Sequence, residues 1–139
     1  MKKFNKLQSF SLLFLRLILA YGFWGPAVKK VNNISGITGW FKSMGLFMPE
    51  VQAYLAAYTE YVGFILLALG LFTRLISIPL MVVMLTAIYL VHWQHGFMAS
   101  NNGFEIPFYY LLMLFALLAF GPGKYSLDHL LKKGKNVDV

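Results

Sequence analysis

Two ionisable residues stand alone inside long apolar runs of this 139-residue chain: Arg16 in LLFLRLILAY and Glu60 in YTEYVGFILL. An arginine at the centre of a membrane helix costs about 2.5–3.5 kcal/mol on insertion scales, so it faces a partner or a water-filled space. Counted from Leu7 at about 1.5 Å per residue, Arg16 lies about 14 Å from one membrane edge. Glu60, on a helix running the other way from Val51, lies about 14 Å from the opposite edge and so about 16 Å from the same one. Equal depth predicts an intramembrane polar pair, Arg16 with Glu60, between the first two helices. Such a pair reads either as a packing device that fixes helix register or as a polar site for a quinone head group or a proton relay.

A second group combines His92 and His95, one helical turn apart, with Glu105 across a Gly- and Asn-rich turn and Met98 between them. Imidazole with carboxylate or thioether suits copper or zinc on an outer face. The same spacing also fits interfacial histidines that snorkel or cap helix carbonyls. His129 falls in the tail, opposite the other two, so no facing imidazole pair is available for a haem. The chain has no cysteine, which excludes disulfide scaffolds, thiolate zinc sites, iron–sulfur ligation and covalent haem attachment. It also carries no phosphate-binding glycine loop, nucleophile elbow or HExxH motif.

These residues must be positioned by elements whose composition is 59% hydrophobic and 12% charged, against roughly 45–50% and 25% in soluble domains. So small a chain cannot hide that much apolar surface from water, and lipid is the fitting solvent. A bilayer core of about 30 Å needs roughly 17–25 apolar residues per helix. Four runs qualify, at about 7–27, 51–72, 75–92 and 104–120. In the last three, apolar residues fill every helical face instead of one stripe. Pro49, Pro79 and Pro107 fall near helix starts, and Pro26 and Gly121-Pro122-Gly123 at ends. The expectation is an all-α membrane protein: a single domain over 1–139, with four transmembrane helices in a bundle.

Lys2, Lys3 and Lys6 before the first run resemble a signal peptide. Arg16 within the run, and the lack of a small-x-small cleavage site before the polar loop, predict instead a retained helix. Eight cations (Lys2, Lys3, Lys6, Arg74, Lys124, Lys132, Lys133 and Lys135) flank one side of the four helices, and three (Lys29, Lys30 and Lys42) the other. The positive-inside bias then places the N and C termini in the cytoplasm, with loops 28–50 and 92–105 outside. The stretch Gly39 to Phe47 reads as a short segment at headgroup level or as a covered loop. The cations form separated clusters with no nucleic-acid-binding motif, so the partner surface is the lipid bilayer and not nucleic acid.

With these residues in hand, the chain resembles the DoxX family of small four-helix membrane proteins. The likeness rests on Leu15-Arg16-Leu17 with Gly22 to Lys29, on Glu60-Tyr61-Val62-Gly63 through Leu69-Gly70-Leu71 to Thr73-Arg74, and on Gly121-Pro122-Gly123-Lys124-Tyr125-Ser126-Leu127-Asp128. Within the family it is similar to the HvfX-like branch, associated with maturation of secreted copper-binding peptides. That likeness rests on Trp40-Phe41, Gly45-Leu46, Pro49-Glu50, His92-Trp93 and Asn102-Gly103-Phe104-Glu105. The resemblance implies a multi-pass subunit of the cytoplasmic (inner) membrane, tied to quinone-linked or other redox chemistry and working with a protein partner or as a homo-oligomer. It supplies no catalytic residues; Arg16, Glu60 and the helix-end Arg74 match its recurrent polar positions.

Two functions stay open. One is an oxidoreductase-associated subunit without a redox centre of its own, binding a quinone near Arg16 and Glu60. The other is a non-enzymatic scaffold or maturation factor that docks a peptide or metalloprotein outside and handles copper through His92, His95 and Met98. A small transport path is a third, weaker alternative.

Overall fold

The computed structural model describes residues 2–135, with side chains of 4–132. The side chains of Lys2, Lys3, Lys133 and Lys135, counted above for orientation, lie outside the described residues. Helices dominate: α1 (Lys2–Asn32), α2 (Ile34–Ser43), α3 (Pro49–Leu69), α4 (Thr73–Ala87), α5 (Glu105–Phe120) and α6 (Leu127–Lys135), with no strand among the described residues. Three helical stretches, Phe4–Asn32, Pro49–Leu69 and Thr73–His95, are long and apolar enough to cross a bilayer, and the apolar α5 is shorter. α3 packs along α1, α4 along α5, α2 lies on α3, and α1 also meets α5.

Burial is distributed as lipid solvation requires. Outward faces carry bulky apolar side chains such as Phe14, Ile18, Tyr21, Tyr54, Leu85 and Phe115. The interior combines Leu12, Leu19, Phe23, Leu67, Leu80, Leu114 and Leu117 with small residues and the polar Arg16, Glu60, Thr73 and Ser77. On α3 the buried face is Ala53, Ala57, Glu60, Gly63 and Leu67, a stripe of mostly small residues that lets neighbouring backbones approach. Gly63 shows how close: a Cβ there would lie 2.9 Å from both Leu80 methyl carbons of α4. The chain is an all-α membrane bundle.

Three boundaries depart from the reading of the sequence, each for a local reason. The first helix does not stop at Ala27 but runs through Pro26 to Asn32. A proline in a membrane helix removes one backbone donor, here the one that would meet the Gly22 carbonyl, without ending the element. The segment read as an outer loop over 28–50 is largely helical, because α1 continues to Asn32 and Asn33 caps α2 by accepting from the Gly36 N–H at 3.2 Å. Beyond Ala87, α4 widens into a π-helical turn, Ile88–His92, and then tightens into a 3₁₀ turn, Trp93–His95. Both changes of winding alter the direction in which His92 and His95 leave the helix.

The α3–α4 turn is tight, with Phe72 in the left-handed region at φ 51°. A bulky residue pays about 1–2 kcal/mol for that conformation. Asp128 of α6 offsets it by accepting from the Phe72 N–H at 2.8 Å and the Thr73 N–H at 3.0 Å, so the first turn of α4 is capped from a distant helix. Replacing the carboxylate, Asp128→Ala, is expected to destabilise the protein by about 1–2 kcal/mol. Phe72→Gly in that background should recover part of the loss, since glycine enters the left-handed region freely. Thermal midpoints in detergent micelles check both; an unchanged midpoint for Asp128→Ala would show that the cap is dispensable.

Candidate functional site

Arg16 is fully buried, yet its partner is not Glu60. Its guanidinium donates only to backbone carbonyls: Nη1 to Leu67 at 2.8 Å and Ala68 at 3.3 Å, Nε to Pro122 at 3.1 Å, and Nη2 to Tyr125 at 2.5 Å. Leu67 and Ala68 belong to the last turn of α3, whose carbonyls carry the negative end of the helix dipole; the Leu67 carbonyl also accepts from the Gly70 N–H at 3.2 Å. Hydrogen bonds to a charged donor contribute about 1.5–3 kcal/mol each, so two of the four already match the cost of inserting an arginine.

The approach is close because position 70 is glycine at φ 70°: a Cβ there would sit 2.7 Å from the Arg16 Nη1 and 2.4 Å from the Ser126 Cβ. The depth argument placed Arg16 beside Glu60 from helix starts alone. The side chain instead reaches the α3 terminus, seven residues and about 10 Å beyond Glu60. With four hydrogen bonds to main chain and no exposed surface, Arg16 is placed to position these elements.

Glu60 pairs with Lys30 of α1, Nζ to Oε1 2.7 Å, the only salt bridge among the described residues. The carboxylate is almost completely buried, at 2% exposure, whereas Lys30 keeps 21%. The second carboxylate oxygen, Oε2, is buried with no hydrogen-bond partner. Lys30 escaped the sequence reading because α1 was ended before it. Once the helix passes Pro26, Lys30 continues the inward stripe of Arg16, Ala20, Phe23 and Ala27 at alternating steps of four and three, and that register was the signal available.

Lys30 also borders a cavity of about 510 Å³. Trp40 and Phe41 of α2, Leu55 and Ala56 of α3, and Val82 and Val83 of α4 give it apolar walls, while Lys30, Gln52, Thr59, Thr86 and His92 supply polar atoms. An ammonium has three donors, and Glu60 takes one. The His92 Nδ1 lies 2.8 Å from the Asn102 carbonyl, which can only accept, so Nδ1 carries the hydrogen. In the neutral ring Nε2 is then an acceptor. The site thus offers a donor, an acceptor and, behind the donor, a buried carboxylate.

The remaining expected residues are not gathered there. His95 is exposed on the 3₁₀ turn. The Glu105 Oε1 accepts from the Ala99 N–H at 3.0 Å and ties down the loop, so it is not directed at the imidazoles. Among the described residues no three His, Cys, Asp or Glu side chains stand close enough to share a metal ion. His92, His95 and Glu105 therefore do not form a three-ligand group in this arrangement, in which His92 is held by the Asn102 carbonyl and Glu105 by the loop backbone. Arg74 is exposed at the opposite end of the bundle and donates to the Ala119 carbonyl at 3.3 Å.

Removing the guanidinium, Arg16→Met, is expected to cost more than about 3 kcal/mol, because the Ala68, Pro122 and Tyr125 carbonyls lose the donor they share. Arg16→Lys keeps the charge but not the fork of donors and should fall between. Unfolding in mixed micelles measures both; a stable Arg16→Met protein would contradict the structural role.

The family model described as DoxX matches residues 11–93, a stretch that holds Arg16, Lys30, Glu60, Arg74 and His92. A Haemophilus influenzae relative, "Uncharacterized protein", is 30% identical over 131 residues, which cover 88% of this chain and 84% of the relative. The Bacillus subtilis "Putative oxidoreductase CatD" is 31% identical over 133 residues, 94% of each chain. The "Uncharacterized membrane protein Rv3486" of Mycobacterium tuberculosis is 29% identical over 134 residues, 88% of this chain and 82% of its own. No solved structure matches the chain.

Proposed function

The chain belongs to the DoxX family, and from that premise we propose that it is a multi-pass subunit of the cytoplasmic membrane that binds a quinone for a redox partner. The cavity beside Lys30 carries this reading. Its volume falls in the ordinary range for small-molecule sites, its walls are mostly apolar, and Lys30 and His92 are among its few polar lining groups.

A quinone ring presents two carbonyl acceptors that become hydroxyl donors on reduction. Lys30 supplies a donor for the first form and the His92 Nε2 an acceptor for the second. Glu60 behind Lys30 anchors the ammonium and stands where a proton leaving the ring could be received. Without cysteine, and with its three histidines divided between the two ends of the bundle, this chain offers no ligand set for an electron-transfer centre. In this reading a partner protein supplies the electrons. The name of the Bacillus relative is in keeping with such a role. Copper handling finds no support in the separated His92, His95 and Glu105.

Trp40 lines the cavity, and the other two tryptophans, Trp24 and Trp93, do not. In a Trp24→Phe, Trp93→Phe background reconstituted in nanodiscs, a short-tailed quinone should quench Trp40 fluorescence saturably. Ala56→Phe, which fills the cavity without adding a second tryptophan, should weaken that quenching by at least about tenfold, as should Lys30→Met combined with Glu60→Gln, which removes both charges together. Quenching that stays linear in quinone, or is indifferent to both variants, would sink the proposal. Glu60→Gln alone separates roles: lower stability with full quinone binding would leave the carboxylate a structural part.

The orientation is proposed from the cation bias. A cysteine at Ser100 should react with impermeant maleimide from outside intact cells, and one at Lys124 only after the cytoplasmic face is opened. The reverse pattern would overturn it.

A further inference from the structure

The opposite end of the bundle holds a second concavity, of about 620 Å³, bounded by the first turns of α1, the start of α4, the end of α5 and the region of α6. Leu12, Phe72, Leu75 and Phe120 form an apolar wall. Three cations also line it, Arg74, Lys124 and Lys132, and all three are exposed. The acidic group of this groove, Asp128, has its two oxygens directed at the Phe72 and Thr73 N–H groups and forms no salt bridge with the cations. The charged residues lining the groove therefore sum to +2, with His129 uncounted.

Cations that meet no carboxylate, next to an apolar surface that opens toward lipid, have a specific chemical complement. We infer that this groove is a site for an anionic phospholipid, with Arg74, Lys124 and Lys132 holding its phosphate and the apolar wall covering part of an acyl chain. Basic pockets between membrane helices bind such headgroups, and a free phosphate would have no use for the wall. α6 supports the same reading. Leu127, Leu130 and Leu131 are exposed on a helix that also carries Lys132, the pattern of a basic amphipathic helix seated in the membrane interface. The site lies at the end remote from Lys30 and stands independently of the quinone proposal.

Native mass spectrometry of the purified protein in mild detergent tests it, with phosphatidylglycerol, cardiolipin and phosphatidylcholine offered in equal amounts and inorganic phosphate as a separate competitor. The anionic lipids should be retained at least about tenfold over phosphatidylcholine. Arg74→Gln with Lys124→Gln and Lys132→Gln should abolish the preference. Lys124→Arg with Lys132→Arg, which preserves the charge, should keep it, and each single lysine variant should reduce it if the triple variant fails to fold. Equal retention of all three lipids, or a preference that survives the triple substitution, would overturn the inference. So would displacement of the lipid by millimolar inorganic phosphate, which would identify a free-phosphate site instead.

Discussion

The guanidinium of Arg16 is the constraint around which this bundle is arranged. One side chain from the first helix gathers the end of α3 and the segment between α5 and α6, using carbonyls at positions 67, 68, 122 and 125. Lipid supplies no alternative acceptor, so these elements must converge or leave a bare charge in hydrocarbon. The local features follow from that demand. Gly70 lacks a side chain because a Cβ would collide with the guanidinium, and the turn after α5 brings the Pro122 and Tyr125 carbonyls inward. Three of the segments by which the chain resembles its family, Leu15 to Leu17, Leu69 to Arg74 and Gly121 to Asp128, come together around this node, whereas Gly22 to Lys29 and Glu60 to Gly63 lie elsewhere in the bundle.

At the other end the interior is polar for a different purpose. The Lys30–Glu60 pair connects a closed core to an apolar cavity, and the asymmetry of exposure makes the lysine the part that faces the cavity. Arg16 and Glu60 therefore differ in their surroundings: the arginine makes four hydrogen bonds, all to main chain, and the carboxylate retains an unpartnered oxygen. The docking of α2 onto α3 makes the cavity, since Trp40 and Phe41 supply the wall that two transmembrane helices alone would leave open.

Helical class and membrane setting were legible because both are written in composition: long apolar runs with charge at their edges admit few other solutions. Arg16 and Glu60 also stood out, as charges inside such runs. Their partners did not. Any helix end offers carbonyl acceptors whatever its residue types, so the destination of the guanidinium had no signature in the chain. Lys30 was hidden by a proline that interrupts hydrogen bonding without interrupting the helix. The third member of the histidine group was equally hidden: that Glu105 would turn to the Ala99 N–H depends on how the loop folds back, which residue spacing does not record.

The Arg16 node also has an order in time. Translation delivers Arg16 first, Leu67 and Ala68 about fifty residues later, and Pro122 and Tyr125 more than a hundred residues after it. A partly made chain therefore holds an arginine whose fork of donors is at most half satisfied, in a segment already apolar enough to enter the bilayer. Completion of the bundle waits on its last-synthesised region, which also carries the cap for α4. A nascent chain stalled before that point would hold a guanidinium lacking its Pro122 and Tyr125 acceptors within the membrane, a mark by which protein quality control could distinguish unfinished copies from finished ones.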